Sequence, residues 1–189
     1  MKAVTWNSPV ILSFALLSGA ALALNSLSGG WANAYLFSVY RSPLSDPLFY
    51  VRLFGHVLGH ASLTHYTSNM VIFLLVGPLL EEKYGSRRLI DIILIVALVT
   101  GAAHILLDGS TALLGASGID FAFILLASVT GGSRGIPLTL IIAAVLYIGQ
   151  QFIDGLALQD QVSHLTHILG GGIGAAYGMW AQPGRRRHG

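Results

Sequence analysis

Long apolar segments separated by short polar breaks dominate this chain. A helix needs about 20 mostly apolar residues to cross the core of a bilayer. We therefore predict spans at roughly 9–25, 57–80, 89–107, 113–130, 136–153 and 162–181. The breaks are rich in turn-forming residues, and residues 26–55 form the one long loop. The pattern predicts an all-α membrane protein, a six-transmembrane-helix bundle that forms a single domain over residues 1–189.

The composition is also that of a membrane protein. Of the 189 residues, 54% are hydrophobic and only 10% are charged, whereas soluble domains carry about 25% charged residues. The chain has no cysteine, which excludes disulfide and thiol chemistry. We expect the lipid bilayer and other transmembrane proteins as partners, and no nucleic acid.

The distribution of positive charge predicts the orientation, because cytoplasmic loops carry an excess of Lys and Arg. Only Arg41 and Arg52 fall on one side of the predicted bundle. The other basic residues fall on the opposite side: Lys2, Lys83, Arg87, Arg88, Arg134, Arg185, Arg186 and Arg187. We expect a multi-pass plasma-membrane protein with both termini in the cytoplasm. The first span also resembles a signal peptide, but we favour a retained span, because the small and polar faces of the other helices need cover.

Among the polar residues inside predicted spans, where such groups are costly and mark functional sites, Ser117 and His167 stand out. Ser117 stands in Gly115-Ala116-Ser117-Gly118, about four residues into the fourth span, and His167 stands about five residues into the sixth. At 1.5 Å per residue, both lie about 6–8 Å below the outer ends of their helices. Both helices enter from the outer side, so the two side chains can meet in the outer leaflet.

Neighbouring residues extend this layer. His65 and Asn69 of the second span are four residues apart and therefore share a helix face. A stripe of small residues in the sixth span allows close packing; it consists of Gly170, Gly174 and Gly178. His167 is better aligned with this stripe than His164. We expect the fourth span to supply the matching small surface, from Gly115, Ala116 and Gly118.

These residues allow peptide-bond hydrolysis. A serine hydroxyl is a weak nucleophile until a base removes its proton, and His167 is the predicted base. The developing oxyanion needs preorganised donors, which the Asn69 amide, the His65 ring and the Ser117 backbone N–H can supply. No acidic residue stands ready to orient His167, so we predict a Ser-His dyad, with no metal and no cofactor.

The motifs resemble those of the rhomboid intramembrane serine proteases. The resemblance rests on residues 60–69, 81–86, 115–118 and 167–174, and the six-span layout resembles the minimal bacterial form. It implies that Ser117 is the nucleophile, His167 its base, and His65 and Asn69 oxyanion donors. Family substrates are membrane proteins, usually single-pass, cut in or near the outer part of their transmembrane segment.

The resemblance also implies supporting roles outside the dyad. Arg52 resembles the family's outer-loop arginine and Glu81 its structural glutamate, and the matched motifs include His60 and Gly115. Phe121 departs from the pattern, because many members have Tyr four residues after the nucleophile; it can stack on the histidine ring but has no hydroxyl. Val51 also departs, since many members have Trp before the arginine.

Asp120 has two interpretations. It follows Ser117 by three residues, roughly on the same side of the helix. The simpler interpretation is a carboxylate that faces a cavity. The sharper hypothesis is that Asp120 biases the protonation of His167.

Other functions stay open at this stage. A non-catalytic rhomboid-like scaffold would hold membrane helices without cutting them. A metal site is another alternative, because His56 and His60 are four residues apart in the second predicted span and imidazoles bind Zn²⁺ or Cu²⁺. That span has no His-Glu-x-x-His arrangement. A transporter has less support, because no inverted repeat or pair of broken helices is evident.

Overall fold

The computed structural model describes residues 6–107, 110–130, 138, 141–142, 145–146, 149, 169–174, 176–177 and 180–181. In this part of the chain the fold is helical, and the only extended pairing is an isolated bridge between Val39 and Leu113. The α-helices are α1 (Pro9–Leu27), α2 (Pro47–Gly55), α3 (Leu63–Tyr84), α4 (Ser86–Leu107) and α5 (Ser117–Thr130). The predicted all-α class is confirmed for these residues.

Three of the described helices, α1, α3 and α4, are long and apolar enough to cross a membrane. They expose large apolar side chains to the outside, as a surface in contact with lipid requires: Leu16, Leu17, Leu74, Leu75, Leu94 and Leu98. Helices α1 and α4 correspond to the predicted spans 9–25 and 89–107. The predicted spans 136–153 and 162–181 lie largely outside the described residues.

The second predicted span, 57–80, begins too early. Residues His56–Leu58 form a separate 3₁₀ turn, and α3 starts only at Leu63. Ser62 sets this start, because its hydroxyl accepts a hydrogen bond from the His65 N–H at 3.1 Å, as N-cap serines do. His56 and His60 therefore do not lie on the helix that carries His65.

The predicted outer loop, 26–55, contains ordered structure of its own. A π-helical turn covers Asn33–Phe37, and α2 follows at Pro47–Gly55. Asp46 caps α2 by accepting a hydrogen bond from the Leu48 N–H at 2.9 Å. Pro47 follows at the first helical position. Proline is favoured there, because an N–H at this position would have no acceptor within the helix.

A stack of three phenylalanines forms the centre of the core. Phe73 of α3 stacks on Phe14 of α1, with ring centroids 4.5 Å apart, and on Phe123 of α5, at 5.2 Å. Burying three aromatic rings contributes packing energy as well as apolar burial. The stack therefore joins α1, α3 and α5.

A buried carboxylate ties α1 to the end of α3. Glu81 accepts hydrogen bonds from the Val10 N–H at 3.0 Å, the Ile11 N–H at 3.1 Å and the Ser86 hydroxyl at 2.7 Å. The first N–H groups of a helix have no acceptor within it, and Ser8, the N-cap of α1, makes no side-chain cap. Glu81 is thus a cap for α1 that another helix supplies.

We predict that Glu81→Gln destabilises the fold by about 1–3 kcal/mol, because a neutral amide replaces a carboxylate that serves three donors. The measurement is the midpoint of unfolding in detergent micelles. Glu82→Gln is the matched control, since Glu82 is the exposed neighbour. Equal midpoints for the two variants would contradict the capping role.

Candidate active site

Ser117 is the first residue of α5 and not a residue one turn inside it. The fourth predicted span, 113–130, therefore starts too early, and the depth of Ser117 does not come from a preceding helical turn. The side chain is nevertheless buried, at 5% exposed. The first N–H groups of a helix point outward from its start and attract negative charge. Ser117 stands at such a start.

Backbone hydrogen bonds hold the segment before Ser117 in place. Val39 and Leu113 exchange two N–H···O bonds, of 2.9 and 3.0 Å. The Gly115 N–H donates to the His56 carbonyl at 2.9 Å. The outer loop and the 3₁₀ turn thus fix the strand-like segment that presents Ser117.

Gly115 brings this segment against two polar side chains of α3. Its φ of +129° lies in the region that glycine adopts most readily. A Cβ added there would stand 2.8 Å from His65 Nε2 and 3.5 Å from Asn69 Nδ2. The prediction that His65 and Asn69 share a face is confirmed. The prediction that Gly115 belongs to a small surface of the fourth helix is wrong, because Gly115 precedes α5.

Hydrogen bonds assign the proton of His60. Its Nδ1 lies 3.1 Å from the Leu58 carbonyl, which can only accept, so Nδ1 donates. Its Nε2 then accepts from Asn69 Nδ2 at 3.1 Å, which fixes the orientation of the Asn69 amide. Burial, reinforced by the neighbouring His65, lowers the pKa of His60 from 6.5 to about 4. His60 is therefore neutral at physiological pH and positions Asn69.

The proton of His65 follows in the same way. The Ala61 N–H donates to His65 Nδ1 at 3.4 Å. Neutral imidazole has one donor and one acceptor nitrogen, so Nε2 carries the proton. Nε2 is also the nitrogen that lies against Gly115. The geometry thus gives His65 a donor beside the segment that leads into Ser117.

The glycine stripe packs between α4 and α5. Residues 169–174 are helical, and a Cβ at Gly170 would collide with Thr100 of α4. A Cβ at Gly174 would stand 2.7 Å from Val96 and 2.8 Å from Ala122. Close packing of the stripe is confirmed at Gly170 and Gly174, although its partners differ from the predicted small residues.

A third contact in this segment involves Phe121, because a Cβ at Gly171 would collide with the Phe121 ring. The remaining predictions for the sixth span, on His164, His167 and Gly178, lie outside the described residues. The predicted role of Phe121 as a ring that stacks on His167 therefore stays a prediction.

The histidines of the metal alternative do not form a helical ligand pair. His56 lies in the 3₁₀ turn and His60 beyond it. The ring nitrogens of His56 contact the Leu53 carbonyl at 3.2 Å and the Thr100 hydroxyl at 3.1 Å. Among the described residues, no group of three or more His, Cys, Asp or Glu could hold a metal ion.

Arg52 acts within the outer loop. Its guanidinium is buried, donates to Asp46 at 2.6 Å and to Ser42 at 2.7 Å, and lies 4.5 Å from the centre of the Tyr40 ring. The hydrogen bond from Arg52 lowers the pKa of Asp46. Sequence reasoning did not identify these partners; the available signal was the Asp-Pro cap of α2 shortly before Arg52.

Asp120 is completely buried on α5. Its backbone N–H donates to the Ala116 carbonyl at 3.0 Å, which places it in the first turn of the helix. The carboxyl group is thus an interior one. Whether it acts on His167 stays a hypothesis, because His167 lies outside the described residues.

Comparison with known proteins identifies the class. The Rhomboid domain family model matches residues 48–183, which is more than half of the chain, so this chain belongs to the rhomboid family. Together with its apolar helices, this makes it a membrane protein. The resemblance predicted from the motifs is confirmed.

Individual relatives are proteases or related proteins. Rhomboid protease GlpG of Pectobacterium atrosepticum is 28% identical over 134 residues, covering 68% of this chain and 48% of the relative. The protein of the same name from Yersinia pestis is 28% identical over 178 residues, covering 91% and 62%. Rhomboid-related protein 1 of Caenorhabditis elegans is 31% identical over 137 residues, covering 67% and 38%. The chain spans about half the length of the first of these relatives.

The neutral state of His60 predicts a pH dependence of stability. As pH falls from 6.5 to about 4, the unfolded chain takes up a proton on His60 that the folded chain does not. This contribution to stability is complete above pH 6.5 and decreases through that window. His60→Gln should flatten the decrease, measured as unfolding midpoints across the same pH range. If the unfolding midpoint of His60→Gln falls with pH as steeply as that of the parent chain, the proton uptake belongs to another group.

Proposed function

We propose that this rhomboid-family chain is an intramembrane serine endopeptidase, with Ser117 as the nucleophile and His167 as its base. Its proposed substrates are membrane proteins, cut in or near a transmembrane segment. The observation that carries the proposal is the contact between Gly171 and the Phe121 ring.

That contact fixes a register between two helices. Phe121 follows Ser117 by four residues, and Gly171 follows His167 by four residues. The second contact, between Gly174 and Ala122, lies further along both segments, so the two segments run in the same direction. The proposed dyad requires the helix of residues 169–174 to extend back by one turn, which would bring His167 to the level of Ser117. The matched spacing supports the dyad.

The proposed reaction has two stages. Ser117 Oγ attacks the scissile carbonyl carbon while its proton passes to His167. His167 then gives this proton to the leaving amine, which leaves an acyl-enzyme. His167 then deprotonates a water molecule, whose oxygen attacks the ester carbon. As the bond to Ser117 Oγ breaks and the product acid leaves, His167 returns this proton to Ser117. No metal or redox group takes part.

The proposed oxyanion site surrounds the Gly115 backbone. Its donors are the Nε2–H of His65, the amide of Asn69 and the backbone N–H of Ser117. Preorganised donors lower the barrier because they need no reorientation as charge develops. The hydrogen bond between His60 and Asn69 supports this arrangement, since it holds one donor in place before substrate arrives.

The proposed location is the plasma membrane, with both termini in the cytoplasm. The bias of Lys and Arg supports this orientation. Helix α3 begins beside the Gly115 segment, and α5 begins two residues after Gly115. The candidate site therefore stands at one end of the bundle, which the charge bias makes the outer end. A single-pass substrate would be cut near its outer end.

We predict that Ser117→Ala and His167→Ala each reduce cleavage of a tagged single-pass substrate by about 10³-fold or more, since either change removes the dyad. The assay is co-expression followed by immunoblotting of the cleaved tag. Ser128→Ala is the control for the serine, on the same helix, and His164→Ala is the control for the histidine.

Three outcomes would contradict the proposal. Cleavage that survives both dyad variants would exclude the Ser-His mechanism. Substrate that co-purifies with the parent chain but is never cut would favour the non-catalytic scaffold. Loss of cleavage on chelation, with Ser117→Ala still active, would favour a metal-dependent activity.

The oxyanion role gives a separate prediction. His65→Ala should reduce kcat by about 10²–10³-fold with little change in KM, because the lost donor acts on the transition state. Steady-state cleavage of a transmembrane peptide in micelles measures both constants. Thr67→Ala is the control on an exposed position of α3. A change confined to KM would instead make His65 a substrate-binding residue.

A further inference from the structure

A pocket of about 450 Å³ lies between the start of α4 and the C-terminal helical segment. It is lined by Arg87, Arg88, Asp91, Tyr177, Trp180 and Ala181. Helix α3 runs 22 residues from the Ser117 end of the bundle to the turn before α4, a length of about 30 Å. The pocket is therefore at the opposite face of the membrane from the candidate active site.

The pocket is positively charged. Its one carboxylate, on Asp91, accepts a hydrogen bond from the Tyr177 hydroxyl at 3.2 Å. Neither Arg87 nor Arg88 forms an ion pair with any described residue; within that part of the chain, the ion pair present is Arg52 with Asp46. Two guanidinium groups thus face one carboxylate that is already engaged.

The position of the two arginines on α4 is electrostatically unfavourable without an anion. Arg87 and Arg88 are the second and third residues of the helix. The start of a helix carries a partial positive charge, which favours anions and disfavours cations. An anion in the pocket would offset the repulsion between the arginines and this helix end. The charge pattern therefore indicates a negatively charged ligand.

The surroundings indicate that this ligand is a lipid. Trp180 is 81% exposed, and its ring lies 5.8 Å from that of Tyr177; such aromatics favour the headgroup level of a bilayer. Ile90 and Leu94 are exposed on the face of α4 that continues from Arg87. An acyl chain can lie along these residues while its headgroup reaches the arginines.

We infer that this pocket binds the phosphate headgroup of an anionic phospholipid. Arginine matches phosphate because its planar fork donates two parallel hydrogen bonds. Basic pockets between transmembrane helices are known to hold such headgroups. The positive charge near the membrane would by itself orient the chain, but it does not require a pocket lined by aromatic residues.

The test uses the full chain with Trp6 and Trp31 replaced by Phe, so that Trp180 is the one tryptophan, and its emission is excited where tyrosine does not absorb. The chain is reconstituted into vesicles that contain brominated phosphatidylglycerol or brominated phosphatidylcholine, and bromine quenching of Trp180 reports which lipid lies beside it. We expect stronger quenching by phosphatidylglycerol. In the double variant that carries Arg87→Gln and Arg88→Gln, the preference for phosphatidylglycerol over phosphatidylcholine should fall by about tenfold or more.

Two single-charge variants separate a specific pocket from a general effect of positive charge. Arg88→Gln and Lys83→Gln each remove one positive charge at the same end of the bundle, and only Arg88→Gln should weaken the preference. Equal loss in both variants, or equal quenching by the two lipids in the parent chain, would overturn the inference. Displacement of phosphatidylglycerol by inorganic phosphate would overturn the lipid assignment in favour of a free anion. An unchanged Trp180 emission maximum in phosphatidylcholine vesicles confirms that each variant is folded.

Discussion

The need to satisfy backbone hydrogen bonds away from water governs this fold. Inside a bilayer an unmet N–H or C=O costs several kcal/mol, roughly as much as many side-chain contacts contribute. The chain meets this need where its helices start and end. Glu81, at the end of α3, supplies acceptors to the first turn of α1. The non-helical segment before Ser117 is paired with Val39 and His56. Irregular backbone is tolerated there because it is enclosed by protein.

The candidate site is a consequence of that enclosure. A segment without helical bonds can approach α3 more closely than a helix could, and Gly115 allows the approach because it has no side chain. The same segment ends where α5 begins, so a helix start, two donor side chains and a serine stand together. Phe121 and Gly171 then bring the C-terminal helical segment against α5.

Periodicity and composition predicted the helices well, since α1 and α4 begin and end within three residues of their predicted bounds. They failed where apolar sequence is not helical. Residues 57–62 and 113–116 are as apolar as their neighbours, yet α3 starts only after the Ser62 cap, and the Gly115 conformation and bonds to distant residues delay the start of α5. The bonds of the Gly115 segment are tertiary, so a hydrophobic pattern does not contain them. The Ser62 cap is local, but a capping serine does not contribute to that pattern. That His65 and Asn69 share a face of α3 was predictable, because it depends only on their spacing within one helix. The partners of Arg52 and Glu81 were not predictable, because they lie far along the chain or in loops.

The cap that Glu81 provides also orders the assembly of the protein during synthesis. Helix α1 leaves the ribosome some seventy residues before its acceptor exists, as the separation of Ile11 and Glu81 shows. Until the end of α3 and Ser86 have been made, the first turn of α1 must remain within reach of water or of another acceptor. The N-terminal helix can therefore enter the membrane early, but its docking has to wait for the third helix.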